Sequence, residues 1–202
     1  MKHRILVVED EDKLRRVIEL QLVSAGFEVH AVATTATERA IKADAVTYLE
    51  GDVRSLPVDG PFDAVVCWLN SFGYYDDDDC HRVLREFHRV LRPGGKVAID
   101  TMHHDGGVRH FTPEPDAVVV QRGDHTMVEV STFDPVRGRM VIERTVHRDG
   151  VVRHASYFVR LPTPPEWVVW LEAAGFRDVM FRAGGGGPLE LDSWEVVVVA
   201  TA

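Results

Sequence analysis

The chain has 202 residues, 45% hydrophobic and 27% charged, enough for one domain with a full core; this excludes the disordered, fibrous and collagen-like classes. Twenty-three Lys and Arg against 32 Asp and Glu leave a net charge of −9, which excludes a chain-wide electrostatic footprint for nucleic acid or an anionic membrane. Cys67 and Cys80 form no Cys-x-x-Cys pair and point to a reducing compartment rather than a disulfide framework or a cysteine zinc site.

Ile5 to Val8 is a short apolar run ending in Glu9-Asp10-Glu11-Asp12, too short for a signal peptide and suited to a strand buried on both faces of a parallel sheet. Asp12 to Ala25 follows as a helix with Leu14, Val17, Ile18, Leu20, Leu22 and Val23 near helical spacing, acids at its start and Gly26 at its stop. Phe27 to Ala33 is a second strand, Thr34 to Lys42 a short helix, Ala45 to Leu49 a third strand, and Phe62 to Leu69 a fourth after a turn over Pro57 to Pro61. Asp76 to Asp79 precede an amphipathic helix over Cys80 to Leu91, with His81 and His88 placed at its surface; Arg92-Pro93-Gly94-Gly95 ends it, and Lys96 to Thr101 is a fifth strand. This alternation predicts a doubly wound, mostly parallel α/β sheet.

After residue 110 the pattern changes. Ala117 to Gln121, Thr126 to Phe133, Arg139 to His147 and Val151 to Leu161 are β-rich runs separated by turn sequences, which predicts an antiparallel β-meander inserted into the α/β chain. A helix over Pro164 to Ala174, a strand over Phe176 to Arg182, a loop over Gly184 to Gly187 and a strand over Trp194 to Ala200 close the chain. No run approaches the ~18 apolar residues of a membrane helix, so a cytoplasmic protein with no membrane or nucleic-acid partner is expected. Exposed meander edges favour a homodimer through the insertion.

From about residue 44 onward the order Glu50-Gly51-Asp52-Val53 with Leu56-Pro57, Phe62-Asp63-Ala64-Val65-Val66, Arg89-Val90-Leu91-Arg92-Pro93-Gly94-Gly95-Lys96 and Leu171-Glu172-Ala173-Ala174-Gly175-Phe176 resembles class I S-adenosylmethionine-dependent methyltransferases acting on small molecules. The resemblance implies a Rossmann-like seven-stranded sheet with its last strand antiparallel, S-adenosylmethionine as cofactor, and the antiparallel insertion as a substrate wall or dimer surface. It divides a single domain into a core of residues 44–110 and 162–202 and an insertion of 111–161. In this family the first strand ends in a glycine-rich turn against the donor, and the second in an acid on the donor's ribose. Here the first turn is Glu9 to Asp12, the first glycine of the chain is Gly26, and the ribose acid's position falls at Ala33. The family commonly carries a helical segment ahead of its first strand; this sequence opens directly in that strand.

Residues 1–43 resemble something else. Ile5-Leu6-Val7-Val8-Glu9-Asp10-Glu11, Leu14-Arg15-Arg16 and Leu22-Val23-Ser24-Ala25-Gly26-Phe27-Glu28-Val29 are similar to the opening of the flavodoxin-like response-regulator receiver domains over about residues 3–40. That likeness implies Mg²⁺ on Glu9 and Asp10, while the family's phosphoacceptor and its fifth-strand lysine have no counterpart unless Asp52 serves as acceptor. A chimera of the two doubly wound folds, natural or designed, is the reading that joins these observations. It predicts a compromised donor site with little or no methyl transfer. The alternatives are an active small-molecule methyltransferase and an Mg²⁺- and phosphoryl-responsive signalling module.

At the carboxyl ends of the strands, where open α/β sheets bind ligands, the resemblance makes Asp52, Val53 and Trp68 donor-binding candidates. Asn70 and Tyr74 could line a methyl-transfer site, and His103 and His104 are acid/base candidates because histidine titrates near neutrality. Asp52 reads equally as a turn residue, and two adjacent histidines at an extended strand end would point opposite ways, making a poor metal pair.

Overall fold

The protein is described by a computed structural model covering residues 2–9, 11–33, 46–111 and 116–202; the helix expected over Thr34 to Lys42 lies outside the described residues, as does Asp10. In chain order the elements are β1 (Arg4–Val8), α1 (Asp12–Ser24), β2 (Glu28–Ala33), β3 (Val46–Glu50), β4 (Phe62–Cys67), α2 (Asp77–Val90), β5 (Leu91–Met102), α3 (His104–Phe111), β6 (Asp116–Arg122), β7 (His125–Asp134), β8 (Arg139–Arg148), β9 (Val151–Arg160), α4 (Pro164–Ala173), β10 (Arg177–Ala183) and β11 (Glu195–Thr201). A seven-stranded sheet runs β10-β11-β5-β4-β1-β2-β3 and a separate four-stranded sheet runs β6-β7-β8-β9. The inner strands β1 to β5 pair in parallel, β11 lies antiparallel to β5 and β10, and the second sheet is antiparallel throughout. The α/β sheet with an inserted meander is thus the one expected from the sequence.

Alternation along β1 sets the two layers. Leu6 and Val8 enter the core shared with α2 and α4, while Ile5 and Val7 enter the core under α1. On α2, Cys80, Val83, Leu84, Phe87 and Val90 form the buried stripe. The aspartates do more than precede this helix: Asp76 is its N-cap, accepting a hydrogen bond from Asp79 N at 3.0 Å, and Asp77 to Asp79 form its first turn. His81 and His88 depart from the surface placement read from sequence. Their rings meet Trp170 and Phe176 edge-on, at 4.9 and 5.1 Å between centroids.

Helix α1 is rotated relative to its apolar pattern. Arg15 and Glu19 are buried, with their side chains 3.5 Å apart, whereas Val17 and Leu20 are more than half exposed. Positions 15, 18, 19 and 22 share a face at 100° per residue, so seating Ile18 and Leu22 on the sheet takes Arg15 and Glu19 inward. The buried charges have partners: Arg15 Nη1 donates to the Glu9 carbonyl at 3.0 Å, and Tyr48 Oη donates to Glu19 at 2.5 Å.

The turns of the second sheet follow their sequences. Gly123 and Gly138 take positive φ, as do Asp149 and Gly150, which together form the two-residue turn between β8 and β9. Cys67 and Cys80 are buried and form no disulfide among the described residues, and burial pushes the Cys80 thiol up to about 12.

Candidate functional site

Strand β1 is followed by α1 on one face of the sheet and its neighbour β4 by α2 on the other, so the crevice outside their carboxyl ends is the topological switch point. Glu9 stands there, only 3% exposed. Its carboxylate accepts from Glu11 N at 2.9 Å and, across the crevice, from Ser71 Oγ at 2.8 Å. The turn from β1 to α1 therefore presents a fixed acidic side chain where the methyltransferase resemblance calls for bare glycine backbone.

The loop after β4 is held in a strained form. Leu69 and Asn70 have φ of 53° and 62°, a conformation costing ~1–3 kcal/mol for each such residue. The buried Asp100 compensates by accepting from Leu69 N at 3.0 Å and, through its carbonyl, from Asn70 N at 3.1 Å. Asn70 Oδ1 in turn accepts from Met102 N at 2.6 Å. Asn70 thus positions the β4 and β5 ends with the oxygen that was expected to face a substrate. Burial raises the Asp100 carboxyl above the usual carboxylate range.

The other sequence candidates separate. Asp52 accepts from Arg54 N at 2.9 Å and receives the Arg54 guanidinium, which holds its carboxyl below the ordinary range. It is a turn residue with its charge already engaged. Val53, expected to touch cofactor, is instead 5% exposed and part of the core. Trp68 is half-buried at the end of β4, and Ala33 ends β2 with no acid to offer a ribose. Tyr74 is exposed, its ring 6.1 Å from Tyr157 of the second sheet.

His103 and His104 do not continue a strand. His103 is buried, its Nδ1 3.1 Å from the Ser193 carbonyl and its backbone N–H donating to Trp194 at 2.9 Å. His104 begins α3, its Nδ1 2.7 Å from Asp105 Oδ1 and its ring edge-on to Phe133. It lines a polar cleft of about 590 Å³ between the second sheet and helices α2 and α4, together with Asp77, Arg137, Arg139, Arg160 and Glu166. Sequence reasoning missed these arginines, because β-strand arginines at turn ends carry no signal until the meander is docked on the core. Of the proposed Mg²⁺ ligands, Glu9 is engaged by Ser71 and Glu11, and Asp10 lies outside the described residues. Among the described residues no three His, Cys, Asp or Glu side chains come together to hold a metal.

At the ends of β1, β2 and β3 a buried carboxylate crosses the crevice, Ala33 stands where the resemblance expects an acid, and Asp52 is paired to Arg54.

A family profile described as "Methyltransferase domain" matches residues 17–95. That match begins inside α1, upstream of the boundary near residue 44 read from sequence, and leaves out β1 and its acidic turn. The demethylmenaquinone methyltransferase of Thermus thermophilus is 34% identical over 80 residues, covering 39% of this chain and 35% of that protein. The chain spans about a third of the length of the curated relatives it matches. Among solved structures, the CcbJ methyltransferase of Streptomyces caelestis superposes with a TM-score of 0.80 at 20% identity, over 98% of this chain and 83% of the other. An S-adenosylmethionine-dependent methyltransferase of Clostridium acetobutylicum gives 0.79 at 12% identity, over 100% and 84%. The chain therefore carries the Rossmann-like fold of the class I S-adenosylmethionine-dependent methyltransferases, with a methyltransferase-domain match across residues 17–95.

Proposed function

We propose that the protein is a small-molecule methyltransferase scaffold whose S-adenosylmethionine site is compromised, with little or no methyl transfer. The observation that carries this reading is the Glu9 carboxylate, buried and hydrogen-bonded to Ser71 across the crevice between β1 and β4. A charge-assisted hydrogen bond is worth ~1.5–3 kcal/mol, so the missing ribose acid alone weakens donor binding about tenfold to a hundredfold. The glycine-free turn adds to that loss. Calorimetric titration with S-adenosylmethionine and S-adenosylhomocysteine tests it: no saturable heat is expected up to about millimolar ligand, and a low-micromolar dissociation constant overturns it.

The second reading, an active enzyme with an unusual donor pocket, is favoured by His104, which lines the cleft with Asp105 as its partner. Donor-dependent thermal stabilisation would select it. The receiver-like origin of residues 3–40 rests on the sequence likeness of Ile5 to Glu11, Leu14 to Arg16 and Leu22 to Val29; beryllofluoride with Mg²⁺ should leave the melting temperature unchanged, and a rise would favour a signalling role. A cytoplasmic location and a homodimer through the meander belong to the same proposal, and no helix among the described residues is long and apolar enough to cross a membrane.

A further inference from the structure

The cleft between the second sheet and helices α2, α3 and α4 contains an arginine that no carboxylate reaches within hydrogen-bond distance. Arg160, 5% exposed at its side chain, has its donors satisfied: Nε reaches Asp77 at 3.0 Å, Nη2 reaches Glu166 at 2.5 Å, and Nη1 reaches the carbonyls of Leu161 and Gly138 at 3.0 and 3.4 Å. Arg137 is exposed and pairs with Asp134 at 3.0 Å. Arg139 differs from both. Its side chain is 21% exposed, and its nearest carboxylate is the Asp77 that Arg160 already holds, 3.9 Å away and beyond hydrogen-bond reach. Its guanidinium carbon lies 4.2 Å from the centroid of Phe158, which covers one face. Its Nε is sealed from solvent without a hydrogen-bond partner. Among the described residues its side chain makes no hydrogen bond, although a guanidinium carries five donors in a fork that matches planar oxyanions.

We infer that this cleft is an oxyanion subsite in which Arg139 receives the carboxylate or phosphate of a small-molecule acceptor. The volume of about 590 Å³ falls within the range of small-molecule sites, about 300–1,000 Å³. The Phe158 ring holds the guanidinium by a cation–π contact, and with Nε sealed, Nη1 and Nη2 are the donors left for an oxyanion. His104, paired to Asp105, lines the same cleft, so an acceptor held by its acidic end would share the space with a histidine. The inference rests on the methyltransferase reading only for the word acceptor; anion binding is measured without donor, so either can fail alone.

The experiment is an NMR titration of ¹⁵N-labelled protein with acetate and, separately, inorganic phosphate at constant ionic strength set by NaCl, following the arginine Nε–H resonances and, in every variant, the backbone amide of Gly138 in the cleft lining. The Arg139 resonance is identified by its loss in R139Q. It is expected to shift saturably with at least one of the two anions, and the one that saturates identifies the acceptor class. R139Q should bind at least about tenfold more weakly and R139K at an intermediate level, whereas R148Q, at the β8–β9 turn outside the cleft, should bind as wild type. D77N removes the carboxylate that competes for Arg139 and should tighten binding about threefold, the size of effect a partly exposed ion pair carries; a general loss of folding cannot produce that sign. Shifts with both anions indistinguishable from those in NaCl alone, R139Q binding as wild type, or no tightening in D77N each overturn the assignment.

Discussion

At the scale of single residues, Asp100 shows how a polar group can be costly and necessary together. Its carboxylate is nearly buried yet supplies the acceptor for Leu69 N in a loop whose backbone is left-handed at two consecutive residues. Burial raises its folded pKa above the unfolded value, so its favourable contribution is full below about pH 3.9 and is lost as pH rises through the folded pKa. Replacing it with Asn keeps an acceptor for Leu69 and removes the ionisation. D100N is therefore expected to gain melting temperature relative to wild type at pH 8 and to lose that advantage at pH 4, which paired thermal melts at the two pH values would check. A constant difference across the range would separate Asp100 from the pH dependence. The sequence showed Asp100 as one acid near the end of a fifth strand, and nothing local marks it as the partner of a loop some thirty residues earlier.

Elements are joined here by a few side chains that no helix or strand pattern contains. Arg160, at the end of β9, reaches the first residue of α2 through Asp77 and the first turn of α4 through Glu166, with its guanidinium 5.1 Å from the Trp170 ring. Its backbone N–H donates to Gly73 at 2.7 Å, and a Cβ at Gly73 would lie 2.6 Å from the Arg160 carbonyl. This junction fixes the second sheet on the first. Because Asp77 and Glu166 remain partly solvated, losing the arginine is expected to cost ~2 kcal/mol rather than the larger penalty of stranding a fully buried charge. R160M should then melt ~4–8 °C lower, measured by circular dichroism; an unchanged melt would mean that the sheets are held by apolar contacts alone.

Helix α3 illustrates the opposite limit of local reading. His-Asp-Gly-Gly looks like a loop because each glycine costs ~1 kcal/mol in a helix. The helix forms because Gly106 passes so close to the Ser193 carbonyl that a Cβ would lie 2.1 Å from it, and Gly107 N–H donates to the His103 carbonyl at 2.8 Å. The two glycines that weaken the helix locally are what let it dock.

For the whole molecule, the second sheet has two edge strands, β6 and β9, and β6 exposes three consecutive valines. β6 ends the order β6-β7-β8-β9, and Val118, Val119 and Val120 are 45%, 64% and 36% exposed. An apolar open edge is a pairing template unless covered, and two copies of β6 in antiparallel pairing about Val119 would place Val118 of each opposite Val120 of the other. Light scattering is expected to give a dimer that V119K converts to monomer with the fold unchanged. A wild-type monomer at all concentrations tested would leave the meander as a substrate wall only.

The order of the strands, the helices other than α3 and the meander turns were legible in the sequence, because each follows from side-chain period and from the backbone freedom of glycine at Gly26, Gly123 and Gly150, whereas the inward face of α1 was not. The absence of glycine between Val8 and Asp12 was legible for the same reason. Only the tertiary structure decided what replaced it: a Glu9 carboxylate fixed to Ser71, 62 residues away, and an Arg139 whose donors are unmatched only once β8 and β9 lie against α2 and α4. Such pairings depend on distances in space between residues remote in sequence, and a local pattern carries no information about them.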